Sequence, residues 1–440
     1  MASFIEPKTL KGFRDFLPED EILRESLKEK FTRVFRSYGF LPIDTPVLEY
    51  AQILLRKSEG ETEKQMFRFC DNGGRDVGLR FDLTVPFARF VAQHKDKLAF
   101  PFKRYQIAKV WRGEKPQAGR YREFVQCDFD TIGADCAAAD FETLAVAHSA
   151  LKAIGASSVT LHVNHRGIFN RFLAKLSVQQ QSEAILRVVD KLAKVGKQEV
   201  LRDLEQITGT ADLSQRIIDF ITPLDDNEQT LDKMDELAGD ASAQVERMRQ
   251  ILSVARECGI EDKIIVDPSI TRGLDYYTGV VFETFLDELP SIGSVCSGGR
   301  YDDLAGLYTK EQISGVGASI GLDRLIAALQ QLGASGKTQG YIDVELFCSS
   351  IDAKHEAARQ KLAHQLRKQG LGVDVFPDCA KMIKQYAVAE SKGVHWGIFC
   401  KLDEAGGLTF SVKNLETRRS TEGFSLGDAD KIAQLIKGAV

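Results

Sequence analysis

Apolar residues recur at spacings of three and four from Leu23 through Leu27, Phe31 and Phe35 to Tyr38, the period of a helix that buries one face. Pro18, Glu19 and Asp20 suit its first turn and Gly39 its stop. From Phe40 to Tyr50 apolar positions alternate around Pro42 and Pro46, and residues without an N–H fit an edge or interface strand. Between Arg104 and Gly133 two strand-like runs flank the Gly- and Pro-bearing basic loop Lys115–Arg122, which predicts a long hairpin with a basic tip.

The texture changes at Arg166. As far as Asp262 the chain is polar and charged, with helical stripes such as Ile185, Val188, Val189 and Leu192 and almost no strand signal, as in a helical insertion. Strand character returns from Ile264 to Phe285. A Gly-rich stretch, Gly293–Gly321, then leads into a helix carrying Leu322, Leu325, Ile326 and Leu329, and Gln330–Gly340 reads as a linker. Beyond it, alternation at Ile342, Val344 and Leu346, a helical stripe at Ala358, Leu362 and Leu366, and strand-like Val373–Phe376 and Trp396–Cys400 predict a separate α/β domain.

A chain of 440 residues exceeds one ordinary core, so two to four compact units are expected. No segment reaches the roughly 20 apolar residues of a membrane span. Met1–Phe16 carries Glu6, Lys8, Lys11 and Arg14 without an apolar core, so no secretory signal is expected and the chain should act in the cytoplasm, with no membrane partner. The net charge of −5 shows no basic surplus for nucleic acid, and residues 341–440 hold 14 Lys and Arg against 13 Asp and Glu. Any RNA surface is therefore a local patch. The eight cysteines show no C-x-x-C spacing, and His162 and His165 sit in a strand-like run without companion ligands; no metal site is expected.

Alternation along the hairpin gathers polar residues: Arg112 and Glu114 share a face of the first strand, Gln126, Asp128 and Asp130 one face of the second, with Val125, Cys127 and Phe129 opposite. If the polar faces coincide, guanidinium, amide and carboxylates surround one pocket, and arginine suits phosphate oxygens. A solvated sheet face with exposed ion pairs explains that spacing equally well. Thr271–Gly279 sets Arg272, Tyr276 and Tyr277 beside glycines, either a ligand site or a packed strand, and Ser297–Asp302 is a ligand-contacting turn or only a turn. Gly317-Ala318-Ser319-Ile320-Gly321 matches the G-x-S-x-G elbow of hydrolases, with His355, His364 and His395 downstream as bases. That elbow needs a strand before the serine and a helix after it.

Together these segments resemble class II aminoacyl-tRNA synthetases over nearly the whole chain. The first helix and the Pro46 strand are similar to motif 1, which builds a dimer interface in that family; Val110–Glu114, the basic loop and Arg122-Glu123-Phe124 are similar to motif 2; Gly321–Leu325 is similar to motif 3. Arg272–Tyr277 and Ser297–Asp302 resemble the two segments peculiar to the histidine-specific members, and Leu79–Thr84 their substrate-amine segment, with Asp82 where many bacterial members have Glu.

The resemblance implies an α+β fold: a catalytic domain on a six-stranded or larger antiparallel sheet (1–163 and 263–330), a helical insertion (164–262) and an anticodon-binding α/β domain (341–440), in a homodimer. Its implied substrates are ATP, accompanied by Mg²⁺, L-histidine and histidine tRNA. It implies that Asp82 and Thr84 hold the substrate amine, that Arg112 binds the α-phosphate and carboxylate, Glu114 the adenine end, Arg120 the outer phosphates and Arg324 the γ-phosphate, and that Arg272 stands beside the α-phosphate. Gln126 is implied at the carboxylate or amine, Asp130 and Tyr277 at the imidazole, and Tyr276 in the lining of that pocket. Paralogues resembling this core serve as catalytically silent regulators of histidine-pathway enzymes; those typically lack the anticodon-like domain and an intact Arg272–Tyr277 segment, and this chain has both.

Overall fold

Helix α1 (Pro18–Ser37) forms where the periodicity places it, with Arg24, Leu27, Phe31 and Phe35 on its buried side. Glu19, Asp20 and Glu21 in its first turn and Arg36 in its last complement the helix dipole, and Gly39 at φ +82° turns the chain away. The computed structural model describes residues 4–55, 61–117, 119–271, 277–302, 306, 308–309, 311–333, 340–349, 353–402 and 407–438. The chain divides into two compact units, one of Met1–Leu17 with Leu23–Ser335, the other of Pro18–Ile22 with Gly336–Val440.

In the first unit β1 (Leu41–Pro42), β2 (Leu48–Tyr50), α2 (Ala51–Leu55), α3 (Glu61–Gln65), β3 (Arg68–Cys70), β4 (Asp76–Leu79) and α4 (Thr84–His94) precede the long hairpin of β5 (Phe102–Trp111) and β6 (Glu123–Ile132). The single edge strand expected across Phe40–Tyr50 is thus two short strands: Pro46 lies between them, and β1 pairs with β5 while β2 pairs with β4 in a separate small sheet. Helix α5 (Ala137–Ala153) and strand β7 (Val159–His165) lead into seven described helices, α6 (Arg166–Lys175), α7 (Ser182–Val189), α8 (Leu192–Val195), α9 (Lys197–Thr208), α10 (Ala211–Ile221), α11 (Asn227–Ala238) and α12 (Ser242–Glu257). The chain returns through β8 (Ile264–Val266), β9 (Val280–Leu286), β10 (Cys296–Tyr301), β11 (Gly315–Gly321) and α13 (Leu322–Gln331).

Among the described residues eight strands make one sheet in the order β1-β5-β6-β11-β10-β9-β7-β8. The six central strands run antiparallel to their neighbours, and the short edges β1 and β8 pair in parallel. Alternation along β6 does what the sequence predicts: Val125, Cys127 and Phe129 enter a core shared with α1 and α5. Phe35 stands 5.1 Å from Phe129, a ring contact worth about 0.5–1.5 kcal/mol beyond its buried area. The same core continues into the helices after β7 through Phe169, Phe172 and Phe220.

A buried ion pair ties the layers together. Arg300 of β10 bonds Asp140 of α5 at 2.7 Å, and Arg247 of α12 reaches the same carboxylate at 2.6 Å. Removing one partner of such a pair costs about 3–5 kcal/mol, because the other charge is left buried and uncompensated. His162 pairs with Asp267, and His165 accepts from the Gly167 N–H at the start of α6.

The second unit holds a five-stranded sheet ordered β13 (Val373–Val375), β12 (Val344–Phe347), β14 (Trp396–Leu402), β15 (Leu408–Asn414) and β16 (Ser420–Phe424). Its first three strands are parallel and the last two antiparallel, so the expected α/β alternation ends in a meander. Helices α14 (Ala353–Lys368) and α16 (Ala429–Lys437) share one core with the sheet, and α15 (Met382–Ser391) contributes to another, where Phe347 stacks on Phe399 and Tyr386 is tilted against both. Among the described residues no helix is long and apolar enough to cross a membrane.

Candidate active site

Strand register sets the floor of the site. Across the sheet Arg104, Asp130, Gly317 and Gly299 stand in one row, each paired with the next. A methyl group on Gly317 would lie 2.1 Å from Asp130 Oδ1, and one on Gly299 would lie 2.8 Å from the Tyr277 ring. The two glycines therefore leave room for a carboxylate and a phenol on the same face.

Asp130 is buried, accepts a 2.5 Å hydrogen bond from the Tyr301 hydroxyl and pairs with Arg104 at 2.7 Å. Burial pushes its carboxyl above the usual range, against the pull of Arg104 and Tyr301. Two residues earlier on the same face, Asp128 is pushed up to about 7 by burial, with Arg104 opposing and Asp130 adding to the rise. Tyr277 and Tyr301 pack with Phe87 and Val91 of α4, so the pocket has apolar walls around few polar groups.

Toward α4 the chain presents Asp82 and Thr84. Asp82 Oδ1 accepts from the Val85 N–H at 3.0 Å, and Arg80 anchors this corner by donating to the carbonyls of Thr45 and Lys109. Gln126 Nε2 donates to Ser319 Oγ at 2.8 Å, while its buried Oε1 has no hydrogen-bond partner among the described residues. A buried acceptor of that kind calls for a donor.

Cations gather at the other end. Arg112 donates to the Phe81 carbonyl and lies 5.2 Å above the Phe124 ring; Arg324 donates to the Ser294 carbonyl at 2.6 Å; Arg120 and Arg112 lie 3.8 and 4.0 Å from Glu114. Burial, then repulsion from Arg120 and Arg112, push the Arg324 guanidinium down to about 10, opposed by Glu283. Three like charges held in one pocket make a site for a polyanion, which would relieve their repulsion.

One cavity of about 840 Å³ is lined by Asp82, Thr84, Arg112, Glu114, Arg120, Gln126, Asp130, Tyr277 and Arg324, every described residue to which the resemblance assigns a substrate, while Asp128 and Arg300 are not part of its lining. Arg272 and Tyr276 lie outside the described residues. Contrary to the alternation expected from sequence, β5 ends at Trp111, so Arg112 and Glu114 are not strand neighbours on a common face. They follow the point where ladder pairing gives way to the bonds Arg112 N–H to Arg122 and Gly113 N–H to Gln65. The solvated-face reading fails for this surface, because Gln126, Asp128 and Asp130 are all buried. The elbow reading also fails: Ser319 lies within β11, paired with Asp128 on one side and Ser297 on the other, rather than at a turn into a helix.

Arg104 and Glu283 were not singled out by sequence, and Ser319 was marked only as the serine of the hydrolase pattern. Arg104 faces Asp130 only through the hairpin register, and Tyr301 reaches Asp130 only because β11 lies between their strands. Tyr301 was already marked by its place in Ser297–Asp302.

The sequence model described as histidyl-tRNA synthetase matches residues 12–325, and that described as anticodon binding domain matches 343–434. A histidine-tRNA ligase from Treponema denticola is 56% identical over 92% of this chain and 91% of its own length. One from Rhodopirellula baltica is 47% identical over 99% of both. The crystal structure of histidyl-tRNA synthetase from a Nostoc species superimposes with a TM-score of 0.87 at 30% identity, covering 99% of this chain and 100% of that one. With a matching model over most of its length, full-length relatives and a pocket that brings an acid and a phenol to one end and three arginines to the other, the chain belongs to the histidyl-tRNA synthetase family.

Proposed function

We propose that this chain is a histidine-tRNA ligase that activates L-histidine with ATP and transfers it to the 3′ end of its tRNA. The observation that carries the reading is the division of one cavity into a carboxylate–phenol slot, Asp130 and Tyr277, and a cluster of Arg112, Arg120 and Arg324. An imidazole has one donor and one acceptor nitrogen, and a carboxylate and a phenol satisfy both. Analogues without those nitrogens leave buried groups unpaired, which discriminates by roughly ten-thousandfold or more.

In the first step the histidine carboxylate, already ionised, attacks the α-phosphorus in line as pyrophosphate departs, so no side-chain base is required. The protein positions two anions and offsets the growing charge. Arg112 binds the α-phosphate and carboxylate, Arg120 the outer phosphates, Arg324 the γ-phosphate and Glu114 the adenine end, while Phe124 offers a ring face. Asp82 and Thr84 hold the amine, and the unpartnered Gln126 Oε1 fits that donor. Arg272 beside the α-phosphate and Tyr276 in the slot keep the roles that the sequence suggests. Glu283, a further carboxylate of the lining, would offer an oxygen ligand to the Mg²⁺ accompanying ATP. In the second step the terminal hydroxyl of the tRNA attacks the adenylate carbonyl.

The division into catalytic domain (1–163 and 263–330), helical insertion (164–262) and anticodon-binding domain (341–440) follows from the same reading. A homodimer is supported by exposed Leu41, Val47, Leu48, Tyr50 and Phe69 around the segment resembling motif 1. We place the enzyme in the cytoplasm because its relatives are named for a reaction of translation.

The test is exchange of pyrophosphate into ATP. Histidine alone among the amino acids should support it. Exchange with another amino acid would reassign the slot, and no exchange at all would favour a silent regulator.

A further inference from the structure

Ahead of α1, the segment Lys11–Phe16 has no regular secondary structure, yet it is bound to the tip of the β5–β6 hairpin. The Arg122 N–H donates to the Gly12 carbonyl at 2.9 Å, Arg122 Nη1 reaches the Lys11 carbonyl at 3.3 Å, and the Phe13 ring meets Phe67 edge-on at 6.0 Å. Gly12 sits at φ +90° with the Arg122 side chain 2.8 Å from where a β-carbon would stand, so no other residue fits this approach without displacement.

From this segment Arg14 makes two contacts in opposite directions. Its guanidinium lies 3.2 Å from the centre of the Tyr121 ring, and its Nη2 bonds Asp323 Oδ1 at 2.6 Å. Each partner neighbours an arginine of the cavity in sequence: Tyr121 follows Arg120 and Asp323 precedes Arg324, and all four line that cavity. Asp323 does not depend on Arg14 for charge balance. Arg24 of α1 bonds the same oxygen at 2.6 Å, and the Val125 N–H donates to the other at 2.8 Å.

We propose that Arg14 is a positioning residue for the nucleotide: by stacking on Tyr121 while pairing with Asp323, it clamps the hairpin tip to the start of α13 and sets the separation of Arg120 and Arg324. Two guanidiniums that repel each other hold a fixed spacing only if their supports are braced, and a spacing set in advance lowers the ordering cost of binding a triphosphate. Arg14 need not touch ATP. The carboxylate–phenol slot lies farther along β6, where Asp130 pairs with Gly317 four residues before Gly321, the residue that precedes α13. The inference rests on the proposed ATP-dependent activation of histidine.

Histidine-dependent pyrophosphate exchange by the full chain tests it. Exchange by the unaltered protein checks the underlying reading, so failure there and failure of the clamp are told apart. With R14A the KM for ATP should rise roughly tenfold, the scale of a partly desolvated cation–π contact, while the KM for histidine stays within about twofold. R14K, which keeps the charge but loses the planar stack, should fall between R14A and the unaltered chain. In a Y121A background the same Arg14→Ala change should alter the ATP KM by less than about twofold, because the stack is already gone. Parallel rises in both KM values, or an Arg14 effect undiminished in Y121A, would overturn the proposal. If R14A does not fold, R14K measured with and without Y121A gives the same comparison.

Discussion

The Tyr301 hydroxyl donates to Oδ1 of Asp130 at 2.5 Å, joining the last residue of β10 to the C-terminal part of β6 across the intervening strand β11. That bond orients a buried carboxylate whose charged partner is Arg104. Removing it in Y301F leaves the carboxylate short of a donor, at a cost to stability of about 1–3 kcal/mol. The KM for histidine should rise about tenfold and the KM for ATP should hold, as steady-state exchange kinetics can check; an unchanged histidine KM would detach Tyr301 from the slot.

Gly317 has no room for a side chain. Its β-carbon would stand 2.1 Å from Asp130 Oδ1, which can yield only by turning the carboxylate away from its bond with Tyr301, and 2.8 Å from the Phe129 carbonyl, which cannot yield without moving β6. G317A should lose about 1–3 kcal/mol by overpacking and at least about a hundredfold in histidine-dependent exchange, the usual consequence of an ångström-scale displacement in a site. Thermal unfolding measured beside the exchange assay separates the two effects; near-normal exchange in a folded variant would refute the steric argument.

Arg324 is held near other cations at a cost to the empty protein. R324Q removes that repulsion, so its Tm without ligand should equal or exceed that of the unaltered chain. The rise in Tm on adding ATP should largely disappear. A variant that lost stability when empty yet kept the full ATP response would show that the arginines do not act as a polyanion site.

Asp128 carries a pH dependence whose sign follows from its surroundings. Burial lifts its folded value to about 7 from an ordinary 3.8, so between these values the folded chain holds a proton that the unfolded chain has released. This group's contribution is therefore fully favourable below about pH 4, declines as pH rises and is lost above about 7. In D128N the amide does not ionise, and the Tm difference, variant minus unaltered, should grow from pH 4 to 7 and then level off. A difference that stays flat across this range would place the Asp128 carboxyl in its ordinary range.

How much was legible depended on range. The helix from Pro18 to Ser37, the hairpin and its two-faced second strand, the helical run after Arg166 and the first strands of the second unit all follow from periodicity, because burying one face of a helix or strand imposes a repeat within a few residues. Phe40–Tyr50 was read as one strand because local pattern does not say which sheet a short strand joins. The candidates Asp82, Thr84, Arg112, Glu114, Arg120, Gln126, Asp130, Tyr277 and Arg324 came from motifs in well-separated segments, and they line one cavity.

What sequence alone determined, then, was which segments supply the polar residues that line the cavity and which face of β6 its residues occupy. The tertiary structure decided the row Arg104–Asp130–Gly317–Gly299, the bond from Tyr301 to Asp130 and the clamp of Arg14 between Tyr121 and Asp323. Those relationships join residues far apart in the chain. They depend on strand order and register, which are set by burial summed over the whole sheet and leave no periodic trace in any one segment.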